Sequence, residues 1–144
     1  MNIRHMLGAA AGVALLAVLA PATASAAVVP DEVTVDRIGR LARDGELTLS
    51  GTYRCEARHG RVFIGSTVRQ RGWWTEGIGG TRAHCDGRAH RWANRAHPFR
   101  DYLPGRARVR VSLVRLGDDG SWLPLPHLLA ERNEVIRLRL DGRR

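Results

Sequence analysis

The sequence predicts an all-β fold, an immunoglobulin-like antiparallel β-sandwich of about seven or eight short strands, preceded by a cleavable N-terminal signal helix. Three observations support this prediction. Segments that alternate apolar and polar residues recur at spacings of roughly 10 residues. Asp-Gly pairs and other turn signals separate these segments. After the first 26 residues, no segment of useful length has the period of an α-helix.

Residues 1–26 have the three parts of a secretory signal peptide. Arg4 and His5 give a basic start, Leu7–Ala20 is apolar, and Ala24-Ser25-Ala26 is a small-x-small cleavage site. The apolar run is shorter than the roughly 20 residues of a membrane span, which disfavours the alternative of an uncleaved anchor. We therefore expect residues 27–144 to be one secreted, extracellular domain with no transmembrane anchor, and to be a monomer.

The first half of this domain contains three candidate strands. Val33–Val35 alternates briefly, and Asp44-Gly45 then predicts a turn. Glu46–Cys55 alternates strictly, as expected for a strand with one buried face, and Gly51 on that face leaves room for a neighbouring side chain. Val62–Arg71 alternates in the same way.

The second half continues the pattern. Thr81–Cys85 and Ala89–Ala93 flank an Asp-Gly turn signal, so they predict a hairpin. Arg95–Gly105 contains two prolines and is typical of a loop. Arg106–Leu116 is the most regular strand of the chain, and Glu134–Leu140 is the last one.

The segment between those two strands is less regular. Trp122–Pro126 is predicted to be extended at a sheet edge, because its two prolines cannot take part in ordinary ladder pairing. His127–Arg132 is predicted to form one helical turn.

Charge suggests the class of partner. The chain has 23 basic and 14 acidic residues and a formal net charge of +9. Such an excess attracts polyanions, although a basic surface with no fixed partner is the alternative. Five arginines on the alternating strands are candidates for an anion-binding face: Arg106, Arg108, Arg110, Arg137 and Arg139. The competing interpretation is a solvated outer face whose arginines pair with Asp or Glu of neighbouring strands.

Two cysteines, Cys55 and Cys85, lie in strand-like segments. An isolated pair in an exported domain is most simply a disulfide. A redox pair or a metal site is the alternative, but a separation of about 30 residues is unlike the close Cys-x-x-Cys spacing of redox sites.

Trp73 and Trp74 lie between basic residues and a Gly-rich stretch, so this segment is a candidate binding loop. Exposed tryptophans could stack on sugars or bases, or insert at a membrane interface. Alternatively, one or both fold back onto the core.

The histidines are the remaining candidates for chemistry. His84, His90 and His97 do not have the spacing of a helical zinc site, and we expect solvent-exposed histidines and no metal or other cofactor. Asp86 and Asp101 could orient a histidine base, but no serine lies in a Gly-x-Ser-x-Gly elbow. We name no catalytic residue.

Several segments carry a resemblance to a known family: Val33-Thr-Val-Asp36, Leu47-Thr-Leu-Ser-Gly-Thr-Tyr-Arg-Cys55, Gly77-Ile-Gly-Gly-Thr-Arg82, Cys85-Asp-Gly87 with Trp92, and Pro104-Gly-Arg-Ala-Arg-Val109. The chain resembles a family of small secreted proteins of high-GC Gram-positive bacteria that is catalogued as a domain of unknown function. The resemblance implies secretion, a β-sandwich and a Cys55–Cys85 bridge. It carries over no catalytic or binding residue.

These observations favour a non-enzymatic extracellular module that binds an anionic surface polymer such as a cell-wall polymer. The alternative is a module or inhibitor that binds another secreted protein through the Trp73-Trp74 loop. A hydrolase is the least favoured hypothesis.

Overall fold

The computed structural model describes residues 28–117, 120 and 122–142. The predicted signal segment, residues 1–26, lies outside them. Eight strands make up the fold: β1 Glu32–Val33, β2 Ile38–Leu41, β3 Leu47–Arg54, β4 Val62–Arg69, β5 Glu76–Arg82, β6 His90–Ala96, β7 Gly105–Gly117 and β8 Leu125–Leu140. The described residues contain one 3-10 turn, Ala57–His59, and no α-helix, so the all-β prediction is confirmed.

The strands form one sheet in the order β1-β3-β2-β8-β7-β4-β5, and β6 also pairs with β3. Every pairing is antiparallel except that of β2 with β8, which is parallel. The sheet is therefore mixed, and the prediction of purely antiparallel pairing is wrong at this one junction. An immunoglobulin-like arrangement stays a prediction.

The core lies on the apolar face of the alternating strands. In β3 and β4 every second residue is buried, and Leu47, Leu49 and Ile64 are completely inaccessible to solvent. Each such side chain stabilises the fold by about 1.5–3 kcal/mol through its removal from water. Trp92 of β6 completes the core above Gly51, as the sequence predicts for a glycine on a buried strand face.

A buried polar network holds β6 close to β4 and β5. The Asn94 amide donates to Ser66 Oγ at 2.9 Å, and Ser66 Oγ donates to the carbonyl of Ile78 at 2.7 Å. Thr81 Oγ1 bonds the Asn94 side-chain oxygen at 2.6 Å. β5 ends the strand order on one side, and β6 pairs with β3 near the other side. These bonds therefore show that the sheet curls around one core.

The predicted hairpin of Thr81–Cys85 with Ala89–Ala93 is wrong. β5 pairs with β4, whereas β6 pairs with β3 along its whole length. The turn signal itself is real, because Gly87 has φ 78° and Asp86 Oδ1 accepts from the Arg88 amide at 2.9 Å. The turn carries the chain between the two ends of the sheet, since each strand already has another partner.

The predicted helical turn at His127–Arg132 is also wrong, because this segment belongs to β8 and pairs with β7. Among the described residues, the part of β8 that precedes Arg137 pairs with β7 alone, because β2 joins β8 from Arg137 onwards. Pro126 is tolerated opposite Leu116 because the other side of the strand is an edge. Cross-strand bonds to β7 therefore outweigh the helix preference of this Leu- and Ala-containing segment.

Candidate functional site

The central strand β7 presents alternate arginines to solvent. Ala107 and Val109 are buried, whereas Arg106, Arg108 and Arg110 are exposed. A strand turns successive side chains to opposite faces, so the three arginines share the outer face at intervals of about 6.8 Å. This is the placement that the sequence predicts for them.

The last strand places its arginines on the same outer face. Arg137 lies directly opposite Arg106 in the β7–β8 register, and Arg139 follows two residues later. All five arginines predicted from the sequence therefore lie on one side of two neighbouring strands.

Two further arginines join this group through pairings that the sequence does not reveal. Arg69 of β4 lies opposite Arg108, and Arg40 of β2 lies opposite Arg139. We call the combined set the arginine face: Arg40, Arg69, Arg106, Arg108, Arg110, Arg137 and Arg139.

Few charges of the arginine face are compensated by the described residues, although Arg40 attracts the Asp36 carboxylate. Like charges directly opposite each other in a sheet are destabilising, and three such pairs occur here. Arg110 is the exception, because its Nε lies 3.2 Å from Asn133 Oδ1 and 3.8 Å from Glu131 Oε1. Within residues 28–117, 120 and 122–142, no carboxylate forms an ion pair with Arg106, Arg108, Arg137 or Arg139. The alternative of a charge-paired outer face therefore holds for Arg110 alone among the five predicted arginines.

A shallow groove borders the arginine face at Arg106 and Arg137. It has a volume of about 470 Å³, and its lining includes Arg37, Arg106, Arg137 and the acidic residue Glu134. A second depression of about 380 Å³ is lined by Arg69, Arg106 and Arg108 and continues to Gly72 in the β4–β5 loop. The arginine face thus continues towards that loop.

The β4–β5 loop carries Trp73 and Trp74, and neither folds back into the core. Trp73 is 81% exposed and Trp74 is 44% exposed. Their rings meet edge to face at 5.7 Å. Both side chains are accessible, as a binding loop requires.

The three histidines that the sequence analysis considers, His84, His90 and His97, do not all lie together. His84 and His90 approach each other, with ring centroids 5.4 Å apart, and His90 Nε2 lies 2.7 Å from Asp86 Oδ1. The hydrogen bond with His90, followed by that from the Arg88 amide, lowers the pKa of Asp86. His97 lies apart from them, 3.3 Å from Asp44.

These histidines do not assemble a metal centre. In the part of the chain that the structure describes, no three His, Cys, Asp or Glu side chains are arranged to hold a metal ion. Cys55 and Cys85 are joined in a disulfide, and the Gly87 amide donates to the Cys55 carbonyl at 2.8 Å. The bridge therefore fixes the Asp86-Gly87 turn to the end of β3.

No described helix is long and apolar enough to cross a membrane. In comparisons with known proteins, a family model described as a family of unknown function, DUF6299, matches residues 29–141. No curated protein and no solved structure matches. The match confirms the resemblance to a family of unknown function, and it assigns no role to the arginine face or to the tryptophans.

Proposed function

Since the chain belongs to this family of unknown function, DUF6299, we propose a function from its own surface: the arginine face binds an anionic surface polymer, without catalysis. The observation that carries the proposal is the set of three like-charged pairs, Arg106 with Arg137, Arg69 with Arg108 and Arg40 with Arg139. Opposed arginines repel each other by roughly 1 kcal/mol per pair in water. A bound polyanion relieves that repulsion.

The spacing of the arginines suits a chain of anionic groups. Neighbouring strands lie about 4.8 Å apart, and alternate residues along a strand lie about 6.8 Å apart. Guanidinium groups on such a lattice can hold phosphate or carboxylate groups through paired hydrogen bonds. The open grooves along the arginine face leave room for an extended polymer.

The proposed place of action is outside the cell. The Cys55–Cys85 disulfide supports this, because such bonds persist in oxidising compartments. The signal peptide predicted for residues 1–26 supports it independently.

Salt titration tests the proposal. The purified protein is titrated with a soluble glycerol-phosphate polymer at several salt concentrations, with uncharged dextran as the control polymer. We expect affinity to fall linearly on a log–log plot against salt, because the polymer releases counterions when arginines neutralise it. An affinity that does not respond to salt, or equal binding of dextran, contradicts the proposal.

A double substitution locates the binding surface. Arg106→Gln with Arg137→Gln should weaken binding by at least about tenfold, because a charge-assisted contact is worth about 1.5 kcal/mol. It should also reduce the salt slope by about one unit per arginine removed. The matched control is Arg82→Gln with Arg88→Gln, which removes the same charge from exposed positions outside the arginine face. An equal loss in the control would show that net charge alone drives binding.

A further inference from the structure

Four large apolar side chains are exposed on two adjacent loops. Trp73 and Trp74 belong to the β4–β5 loop, and Phe99 and Leu103 belong to the β6–β7 loop. Phe99 is fully exposed and Leu103 is 47% exposed. We call these four residues the aromatic tip. Soluble proteins rarely expose such a cluster unless it contacts another phase or molecule.

The two loops are fastened to each other. The side-chain amide of Gln70 donates to the backbone carbonyl of Leu103 at 2.6 Å. The backbone amide of Leu103 donates in return to Gln70 Oε1 at 2.9 Å. The pair of bonds fixes the spacing between the loops. The tip is therefore ordered before it meets a partner, which lowers the entropic cost of docking.

A buried carboxylate anchors the β6–β7 loop from below. Glu76 of β5 accepts hydrogen bonds from the Phe99 amide and, at 3.3 Å, from the Tyr102 hydroxyl. Burial, followed by the neighbouring Glu76 carboxylate, raises the pKa of Tyr102 to about 12, which favours the protonated hydroxyl that donates to Glu76. Phe99 projects from a fixed backbone.

Basic side chains surround the tip. The Arg100 guanidinium lies 5.3 Å from the centre of the Trp74 ring, in a cation–π contact. Arg71 lies beside it in the lining of a depression of about 410 Å³, which also contains Asp101. Arg69 and Arg108 of the arginine face are close by, in the depression that reaches Gly72. The partner must therefore accept apolar rings and carry negative charge.

The geometry of the rings separates two kinds of partner. A rigid polymer stacks on the broad face of a supported ring, but Arg100 already covers one face of Trp74 and Trp73 meets Trp74 edge to face. Phe99 is as exposed as a free side chain, so it projects from the surface. Rings that project in this way can insert between lipids. The headgroup region of a bilayer accommodates Trp, Phe and Arg side chains together.

We propose that the aromatic tip docks on the surface of a membrane that contains anionic lipids. Phe99 and Trp73 enter the interfacial region, and Arg71 and Arg100 contact the lipid headgroups. This proposal does not rest on polymer binding by the arginine face.

Vesicles test the proposal directly. The purified protein is mixed with vesicles of phosphatidylcholine, with or without phosphatidylglycerol, whose acyl chains carry bromine as a quencher of tryptophan emission. We expect sedimentation with the phosphatidylglycerol vesicles, quenched emission, and at least about tenfold weaker binding to phosphatidylcholine alone. Binding without quenching overturns the proposal, because it places the tryptophans outside the bilayer. Absence of binding also overturns it.

Matched variants identify the surface responsible. Trp73→Ser with Phe99→Ser should reduce vesicle binding at least about tenfold and reduce the quenching with it, whereas Trp122→Ser should leave the binding unchanged. Trp122 is the matched control because it is 94% exposed and lies outside the aromatic tip. Equal losses in the two variants overturn the proposal.

A second pair of variants separates the two proposed sites. Arg71→Gln with Arg100→Gln should weaken vesicle binding at least about threefold, whereas Arg106→Gln with Arg137→Gln should retain quenching by the acyl chains. If the second variant alone loses vesicle binding, the arginine face is the lipid site and the proposal for the tip is wrong. If a purified secreted protein competes for Trp73 and vesicles do not bind, the tip is a protein-binding site instead.

Discussion

At the scale of single residues, one contact shows how closely the core is packed. Gly51 of β3 faces the Trp92 indole, whose Nε1 donates to the Thr34 carbonyl at 2.9 Å. A Cβ atom on residue 51 would lie 2.0 Å from that carbonyl oxygen and 2.7 Å from Trp92 Nε1. Backbone and indole would both have to move.

Gly51→Ala should therefore lower the free energy of unfolding by about 3 kcal/mol or more, because overpacking a filled core costs about 1–3 kcal/mol and here it also breaks a buried hydrogen bond. Denaturant unfolding followed by circular dichroism measures the change. Gly65→Ala in β4 is the control, since a Cβ there meets no atom within 4 Å. Similar losses in both variants would refute this account.

The same residue shows how far a sequence can be interpreted. Strict alternation places Gly51 on a buried face and indicates space beside it. The occupant of that space is Trp92, which the β3–β6 pairing supplies. No local pattern identifies that partner, because the pairing joins strands that are distant along the chain.

At the scale of strands, local pattern and long-range pairing contribute separately. β3, β4 and β7 could be predicted because each alternates without interruption. The partners of β5 and β6 could not be predicted. An Asp-Gly signal indicates that the chain changes direction, but it does not show which strand becomes the neighbour. Alternation alone places Arg106, Arg108 and Arg110 on one face of β7, and the β7–β8 register brings Arg137 and Arg139 onto the same face. Arg69 and Arg40 could not be assigned to this face from the sequence, since only the register of long-range pairings brings them beside Arg108 and Arg139.

One ion pair connects the segment between β1 and β2 to two other strands. Asp36 accepts from Ser50 Oγ at 2.7 Å in β3 and from Arg91 Nη1 at 3.1 Å in β6. The hydrogen bond with Arg91, opposed by partial burial and supported by Ser50, lowers the pKa of Asp36 below its ordinary value of 3.8. The charged carboxylate therefore stabilises the fold above that pH.

Asp36→Asn should accordingly reduce stability at neutral pH, and the difference from the natural protein should vanish as the pH falls through the lowered pKa of Asp36. We expect a difference of about 1 kcal/mol or less at pH 7, because the carboxylate is about one-third exposed and solvent screens it. Denaturant unfolding of both proteins, at pH 7 and at a series of acidic pH values, measures this difference in the free energy of unfolding. The matched control for the loss of one negative charge is Asp101→Asn, which removes an exposed carboxylate that forms no ion pair with the described residues. A difference that persists at low pH contradicts the assignment.

At the scale of the whole molecule, the disulfide restricts the unfolded chain. It joins residues separated by 30 positions, and Cys55 is buried at the end of β3. Cys55→Ser with Cys85→Ser should reduce the free energy of unfolding by about 3 kcal/mol in the chain-entropy model. Thermal unfolding of this variant and of the chemically reduced natural protein should agree. A loss below about 1 kcal/mol in both would show that the bridge adds little to the fold.

The parallel pairing of β2 with β8 has a consequence for the kinetics of folding. It is the junction at which the β3 side of the sheet joins the β7 side, and its two strands lie far apart along the chain. The ladder cannot close there until β8 has been synthesised and released from the ribosome. Contacts of such high sequence separation slow folding towards milliseconds to seconds, because the loop-closure entropy is lost before the contacts form. A nascent chain that lacks β8 thus keeps β2 and β7 as open edges, the kind of surface that recruits chaperones or begins aggregation.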